Sequence, residues 1–510
     1  MKTPVLSVMA QCPLWVKSGH RWPAQSLAHG DPRSHDTAVL WRGLRALTTG
    51  QKMPDLIDTK LQKLGNQLSG RLSMPGDDRY VAATAIWAKP SGAMPRAVVH
   101  CRTVQDVQSA IRAVRDCDLP LSVRGGGHDW AGRALCDGIV IDLSGMNSVV
   151  IDPAAHTARI SGGSRASDVV EVADPLGLAP VTGSVGTVGV AGLTLGGGYG
   201  PLIGRFGLAL DNLLAAEVVL ADGRVALARD DSESELFWAL RGGGGNFGVV
   251  TTMYHRLHDV PDVRSGILIY PFAEAKAVLE RCTEIETFLP DELTVQVGIA
   301  VGPDGPVVMI VPTWCGPSAE GEARLAPFFK LGTLLTSSVN VTPYGRSLTV
   351  FDPYLVDGQR EIMDTCWLTT LDGRSIDVFI RAMEMAVSSG CAIFTHEFKG
   401  AASRVPEEAT AFGLRRDHIL VEILAGFVDR SDKLQERQHQ GWVSATRESF
   451  EAMALPGAYP NLLATGDDRA VQTYGPNTKR LIDAKRHYDP DNVFFSAIPL
   501  PIDSAMAGAD

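Results

Sequence analysis

The chain has 510 residues, 52 of them glycine, with 45% hydrophobic and 21% charged residues, a length that supports two or three domains with sizeable cores. Its 47 basic and 58 acidic side chains leave a formal net charge of −11, which argues against nucleic acid or an anionic membrane as partner, since both are met by basic surfaces. No run of about 18 apolar residues predicts a helical membrane span. The eight scattered cysteines, without a CxxC pair, suggest neither a zinc framework nor a dense disulfide scaffold, and point to a reducing, cytoplasmic setting.

In chain order, residues 1–55 scatter Trp15, Trp22 and Trp41 among His, Pro, Gly and Ser without any period, and are expected to be a disordered extension. A buried strand is predicted over 97–101. Thr103 then caps a helix, with Asp106 in the capping-box position and Val104, Val107, Ile111 and Val114 on one apolar face. A strand at 121–123 runs into Arg124-Gly125-Gly126-Gly127-His128-Asp129. This strand, helix, strand unit delivers a glycine turn at a strand's carboxyl end, where α/β units place ligands.

Short strands are expected at 138–143, 148–151 and 158–161, followed by a second glycine-dense stretch over 183–200. Residues 213–220 and 225–228 read as a hairpin around Ala221-Asp222-Gly223-Arg224. A helix capped by Ser232, with Glu235 three residues on, leads into a third cluster at 242–248, and a strand follows over 249–257. Beyond about residue 262 the clusters stop and longer helix-and-strand alternation begins, which sets a domain boundary there. Of the 52 glycines, 25 fall between Gly125 and Gly248; elsewhere glycine occurs at an ordinary ~7%.

Gly243 to Gly248 satisfies GxGxxG, but a helix precedes it and a strand follows, the reverse of a nicotinamide-dinucleotide turn. His396-Glu397 begins like HExxH, yet Gly400 stands where the second ligand is needed, so no metal site is expected. Walker A and GxSxG patterns are absent, Thr182 replacing the leading glycine of the latter. What remains is three glycine clusters, whose backbone N–H groups can converge on an anion such as a diphosphate, because no Cβ blocks approach and positive φ is cheap. Tight turns in a β-rich domain are the plain alternative. His128, at the tip of the first turn, is sterically open to act as nucleophile or ligand, with Asp129 placed to bias its tautomer; a surface turn histidine is the alternative.

Together, Arg124 to Asp129, Gly183-Ser184-Val185-Gly186-Thr187-Val188-Gly189-Val190-Ala191-Gly192, Gly196-Gly197-Gly198-Tyr199-Gly200, Asp211-Asn212 and Gly245-Asn246-Phe247-Gly248-Val249 form a recognisable set. With Tyr474-Gly475-Pro476-Asn477, Arg480-Leu481, Lys485 and Tyr488-Asp489-Pro490-Asp491-Asn492-Val493-Phe494 near the C-terminus, the chain resembles the FAD-linked oxidases of the vanillyl-alcohol oxidase type, most closely the bacterial berberine bridge enzyme-like group, over about residues 70–500. The resemblance implies an α+β fold. A two-part PCMH-type FAD-binding domain would span 70–262, an antiparallel-sheet substrate domain backed by helices 263–465, and a C-terminal segment returning to the FAD domain 466–503.

It further implies FAD held by Arg124, Gly125, Gly126, Gly127, His128, Asp129, Gly186, Thr187, Gly189, Gly192, Gly196, Gly197, Gly198, Tyr199, Asp211, Asn212, Gly248, Val249 and Asn492, with His128 carrying the flavin through an 8α bond. Val185 stands where many relatives supply a second, cysteinyl link, so a single link is implied. The implied activity is hydride removal from an alcohol, sugar or aromatic natural product, with O2 as acceptor and hydrogen peroxide as product. A dehydrogenase with another acceptor and a catalytically decayed flavin-binding protein are the alternatives. Several relatives use the second tyrosine of Tyr-x-Asn-Tyr as base; here the run is Tyr459-Pro460-Asn461-Leu462. The remaining candidates are Tyr459, His396, which alternation places with Ala392 and Phe394, and Glu422, on a face with His418 and Leu420.

Overall fold

Thr103 caps helix α1 as its spacing predicts. In the computed structural model its hydroxyl accepts the Asp106 amide at 3.2 Å, while the Asp106 carboxylate accepts the Thr103 amide at 3.1 Å, the reciprocal pair of a capping box. The structure describes residues 56–87, 93–286, 289–352, 360–427, 432–464, 466–495 and 498–500; the extension expected at 1–55 lies outside them.

Strands β1 (Leu72–Ser73), β2 (Ala97–His100), β3 (Leu121–Arg124) and β4 (Ile139–Asp142) form the first sheet in the order β1-β2-β4-β3, with β2, β4 and β3 mutually parallel. The crossover from β2 to β3 is α1 (Val104–Cys117), whose Val107, Ala110, Ile111 and Val114 pack against Ala97, Val99, Ile139 and Ile141. Parallel strands need such a crossover, and it brings the end of β3 straight into the first glycine turn.

The second sheet is antiparallel. It runs β5 (Val149–Asp152), β6 (Thr157–Ser161), β10 (Val249–Asp259), β8 (Leu213–Val219), β9 (Val225–Ala228), with β7 (Leu178–Pro180) also on β10. Two short helices, α2 (Val190–Gly196) and α3 (Ser234–Gly243), cover it. Here one expectation fails: the residue before α3 is Glu233, in left-handed conformation at φ 51° with no side-chain cap, and not Ser232. Ser232 exchanges backbone hydrogen bonds with Arg229 (2.8 and 3.1 Å), and that tight turn pushes the helix start one residue on.

From Val263 the chain builds a ten-stranded antiparallel sheet: β11 (Val263–Ser265), β12 (Leu268–Pro271), β13 (Leu293–Gly302), β14 (Gly305–Trp314), β15 (Thr336–Ser337), β16 (Asn340–Thr342), β17 (Arg360–Leu368), β18 (Cys391–Phe398), β19 (His418–Phe427) and β20 (Ala454–Leu455). Its main path is β15-β12-β14-β13-β18-β19-β17-β20. Alternation decides its two faces. Leu293, Val295, Val297 and Ile299 of β13 join Ile393, Val421 and Ile423 in a core closed by α4 (Ala275–Glu286), α5 (Gly373–Glu384) and α6 (Lys433–Phe450). The residues between them face the other way, toward the glycine turns. The last helix described, α7 (Thr478–Tyr488), returns to the second sheet, where Leu481 and Tyr488 pack with Leu236 and Phe237. From Ile57 onward the chain is one compact unit.

Candidate active site

The end of β3 is anchored from beneath. Arg124 pairs with buried Asp142 at 3.0 Å, and Asp142 also takes His100 Nδ1 at 3.1 Å. Burial by itself would raise the Asp142 carboxyl, but His100, Arg124 and Ser144 hold it below its ordinary value. Over this pair the chain turns at Gly127, φ +77°, where a Cβ would sit 3.0 Å from the Arg124 guanidinium. Gly126 meets Gly189 of the second cluster so closely that a Cβ would fall 2.5 Å from the Gly189 backbone. The first two clusters are therefore locked together backbone to backbone.

His128 leaves this junction with its ring stacked on Trp87 (centroids 4.6 Å apart, 19° between planes) and Nδ1 3.3 Å from the Thr187 hydroxyl. The Thr187 hydroxyl is thereby placed to orient the imidazole. The Asp129 carboxylate instead accepts the amides of Ala131 (3.1 Å) and Ala134 (2.7 Å), because the loop after His128 turns back and offers those N–H groups first.

These turns form one wall of a cavity of about 990 Å³ whose opposite wall is the free face of the large sheet. Gly125, Gly126, Gly127, His128, Asp129, Gly189, Gly192, Tyr199, Gly248 and Val249 line it. Three lining residues carry buried polar atoms without a partner: Trp87 Nε1, Trp130 Nε1 and Ser184 Oγ. Donors buried without acceptors are expensive. Their convergence on one cavity beside open glycines, with nothing within 4 Å of the Cβ position of Gly192, fits a ligand rich in acceptor oxygens, as FAD is.

Other residues expected at the cofactor lie off the cavity wall. Gly197 has Tyr459 2.8 Å from its Cβ position, Gly198 is crowded by Ala209, and Gly196 by Asn461 and Ile498; these glycines let other parts of the chain come close. Gly186 bonds through its backbone to Ser167 and Leu348. Asp211 makes a two-pronged ion pair with Arg415, 2.9 Å on each arm. The Asn212 amide bonds the Phe206 and Leu208 carbonyls and His258. Asn492, at φ +49°, closes the turn after α7. The short polar types that suit a ligand also suit sharp turns, so sequence pattern does not separate the two uses.

On the sheet wall, β13, β18 and β19 bring Gln296, His396 and Glu422 together. Gln296 Nε2 lies 2.8 Å from His396 Nδ1, and His396 Nε2 lies 3.2 Å from Glu422 Oε1. An amide N–H at Nδ1 makes that nitrogen the acceptor, so Nε2 carries the proton and donates it to Glu422. Register confirms the shared face: Phe394 pairs with Glu422 and His396 with Leu420. All three polar residues line the cavity. Glu397, on the other face, accepts the Val295 amide and pairs with Lys399.

Tyr459 closes the gap between the walls. Its hydroxyl accepts the Gly198 amide and the Asn461 side-chain amide, both at 2.9 Å, and burial, against those donors, pushes it up to about 12. Tyr199 donates to His418 Nε2 at 2.6 Å; His418 Nδ1 in turn bonds the Arg416 carbonyl at 2.7 Å, and burial pushes His418 down to about 3, so it is neutral. Leu462 lines the cavity without a polar group. Arg133 reaches across to the Pro460 and Asn461 carbonyls, tying the loop after His128 to this segment. Trp87, Trp130, Arg133 and Gln296 were not singled out by sequence, and Ser184 stood there only as part of the second glycine stretch. Gln296 had a signal, alternation along an apolar strand, but nothing marked which face was wet.

Among the described residues no group of acidic, histidine and cysteine side chains is gathered to hold a metal, no helix is long and apolar enough to cross a membrane, and the seven described cysteines are free thiols.

The comparisons agree with this geometry. Residues 95–228 match the family described as FAD binding domain, and residues 451–499 that described as berberine and berberine like. The chain is 31% identical over 451 residues to (R)-6-hydroxynicotine oxidase of Paenarthrobacter nicotinovorans, covering 85% of this chain and 97% of that protein. It is 29% identical over 513 residues to an FAD-linked oxidoreductase of Aspergillus terreus, covering 91% and 100%. The solved structure of 6-hydroxy-D-nicotine oxidase from Arthrobacter nicotinovorans superposes with a TM-score of 0.76 at 28% identity, covering 85% of this chain and 98% of that one. The fold and the glycine-walled cavity thus define a flavoenzyme of the PCMH type. The chain belongs to the berberine bridge enzyme-like family and is an FAD-linked oxidoreductase.

Proposed function

We propose that the protein is an oxidase that takes a hydride from a hydroxylated small molecule, an alcohol, sugar or aromatic natural product, and returns the electrons to O2 as hydrogen peroxide. The observation that carries this reading is the Gln296, His396, Glu422 chain on the same cavity as the glycine turns and His128.

FAD, when bound, supplies the two-electron acceptor for a substrate C–H bond. Gly125 to Gly127, Gly189, Gly192 and Gly248 offer it backbone, and Trp130 and Ser184 offer unpaired donors. His128 is the attachment point, its ring fixed by Trp87 and Thr187. An FAD carried on this imidazole would stay bound through turnover while supplying the same two-electron acceptor. Val185, on the cavity wall, has no sulfur to add a second link. Domain limits at 70–262, 263–465 and 466–503 belong to the same proposal.

Glu422 is the base that takes the substrate's hydroxyl proton. His396 has both nitrogens engaged and acts as the positioning residue that holds the carboxylate; Gln296 sets its tautomer. Tyr459, doubly bonded as an acceptor and pushed up to about 12 by burial, keeps its proton at neutral pH and shapes the pocket. The polar chain of the sheet wall supplies a base where Leu462 leaves the tyrosine position empty of one.

Denaturing electrophoresis tests the attachment. Flavin fluorescence is expected to comigrate with the polypeptide and to vanish in His128→Ala; a purified protein without yellow colour, or a band that stays fluorescent in the variant, overturns it.

A further inference from the structure

The sheet wall carries a second carboxylate at the far end of the cavity. Glu361 of β17 sits opposite Gly426 of β19, while Glu422 sits opposite Thr365. Four residues of strand separate the two carboxylate positions, about 14 Å at the usual rise per residue. Phe427, Cys391 and Gln435 line this end. Among the described residues nothing bonds to Glu361. Its neighbour Arg360 points to the opposite face and pairs with Glu436 at 2.5 Å, and Lys433 joins the same Glu436 at 2.9 Å. Burial pushes the Glu361 carboxyl up to about 7. A carboxyl group withdrawn from water without a partner is unfavourable, whereas one on a cavity wall can be satisfied by a ligand.

We propose that Glu361 is a specificity residue that anchors a protonated amine, so that the substrate is a hydroxylated compound with a cationic nitrogen about 14 Å from its reacting end. A cation gains at this position from the carboxylate, as a charge-assisted hydrogen bond. The span exceeds a single sugar ring. The inference rests on the oxidase reading, which puts the reacting end at Glu422.

The test uses the purified holoenzyme and calorimetric titration with 6-phenylhexylamine, 6-phenylhexan-1-ol and 6-phenylhexanoate. The amine is expected to bind about tenfold or more tightly than the alcohol, as for a desolvated charge pair, and the carboxylate most weakly. Glu361→Gln should bring amine and alcohol to within about twofold, and Glu361→Asp should retain part of the preference; unfolding midpoints verify that both variants fold. An amine that binds no better than the alcohol, a preference that survives Glu361→Gln, or amines that fail to bind at millimolar concentration each overturn the proposal. Flavin reduction by hydroxylated compounds is followed in parallel. Reduction without an amine preference removes the anchor and leaves the oxidase reading, whereas an amine preference without any reduction does the opposite.

Discussion

The glycine wall of the cavity meets a ligand with backbone, at turns whose residues are neighbours in sequence. The sheet wall meets it with side chains from β13, β17, β18 and β19, whose sequence separations run to more than a hundred residues. The first wall tolerates no side chain at its closest approach, since Gly126 and Gly189 touch. The second depends on side-chain identity, because Gln296 sets the tautomer through which His396 holds Glu422. On the proposed function, cofactor recognition falls to a rigid backbone scaffold and substrate recognition to positions that can change without disturbing it.

Four substitutions press on this contrast. The largest effect is expected for Gly126→Ala, whose Cβ would lie 2.5 Å from the Gly189 backbone; neither partner is a flexible side chain, so flavin content should be lost and stability reduced by about 3 kcal/mol. Gly192→Ala, with open space at its Cβ position, should leave the fold at least as stable, by up to about 1 kcal/mol, while lowering flavin occupancy. Flavin absorbance per polypeptide and urea midpoints distinguish the two, and equal behaviour would erase the distinction between locking and ligand-facing glycines.

Next, Glu422→Gln should lower kcat by about 10²- to 10⁴-fold, the range of a lost general base, with flavin content unchanged. Gln296→Leu should cost about tenfold through loss of the imidazole's orientation. A Glu422→Gln enzyme with full turnover would move the base elsewhere, with Tyr459 first in line.

The last effect is confined to acid and concerns the scaffold. His255 of β10 is fully buried with neither ring nitrogen bonded, and burial pushes it down to about 4. Between pH 6.5 and 4 the unfolded chain binds a proton there that the folded chain refuses. Its stabilising contribution therefore falls as pH falls through that window, by about 1.4 kcal/mol per pH unit. His255→Leu should gain on the wild type by that slope in urea unfolding from pH 6.5 downward; a constant difference would mean that the native state accommodates the proton.

The legible parts were local. Thr103 and Asp106 specified a capping box three residues apart, and the glycine clusters announced turns because few other residues adopt those angles. Alternation correctly put His396 with Phe394 and Glu422 with Leu420. Ser232 misled because a backbone turn claimed it before the helix could. Asp211 pairs with Arg415, the Asn212 amide bonds the Phe206 and Leu208 carbonyls, and the Asn492 backbone closes a turn on Asp489, contacts made by tertiary neighbours that no motif records. Trp87 bore no signal: a lone tryptophan becomes part of the site when the first turn swings His128 over its ring.

From the sequence alone came the class of enzyme and the three turns, since backbone conformation and short motifs are written within a few residues. Only the tertiary structure decided which glycines face the cavity and which seat Tyr459, that Thr187 is placed to orient His128, and that Gln296, His396 and Glu422 form one chain. Those facts depend on strand register and close packing between distant segments, and a hydrogen bond across a hundred residues leaves no mark in the spacing of either end.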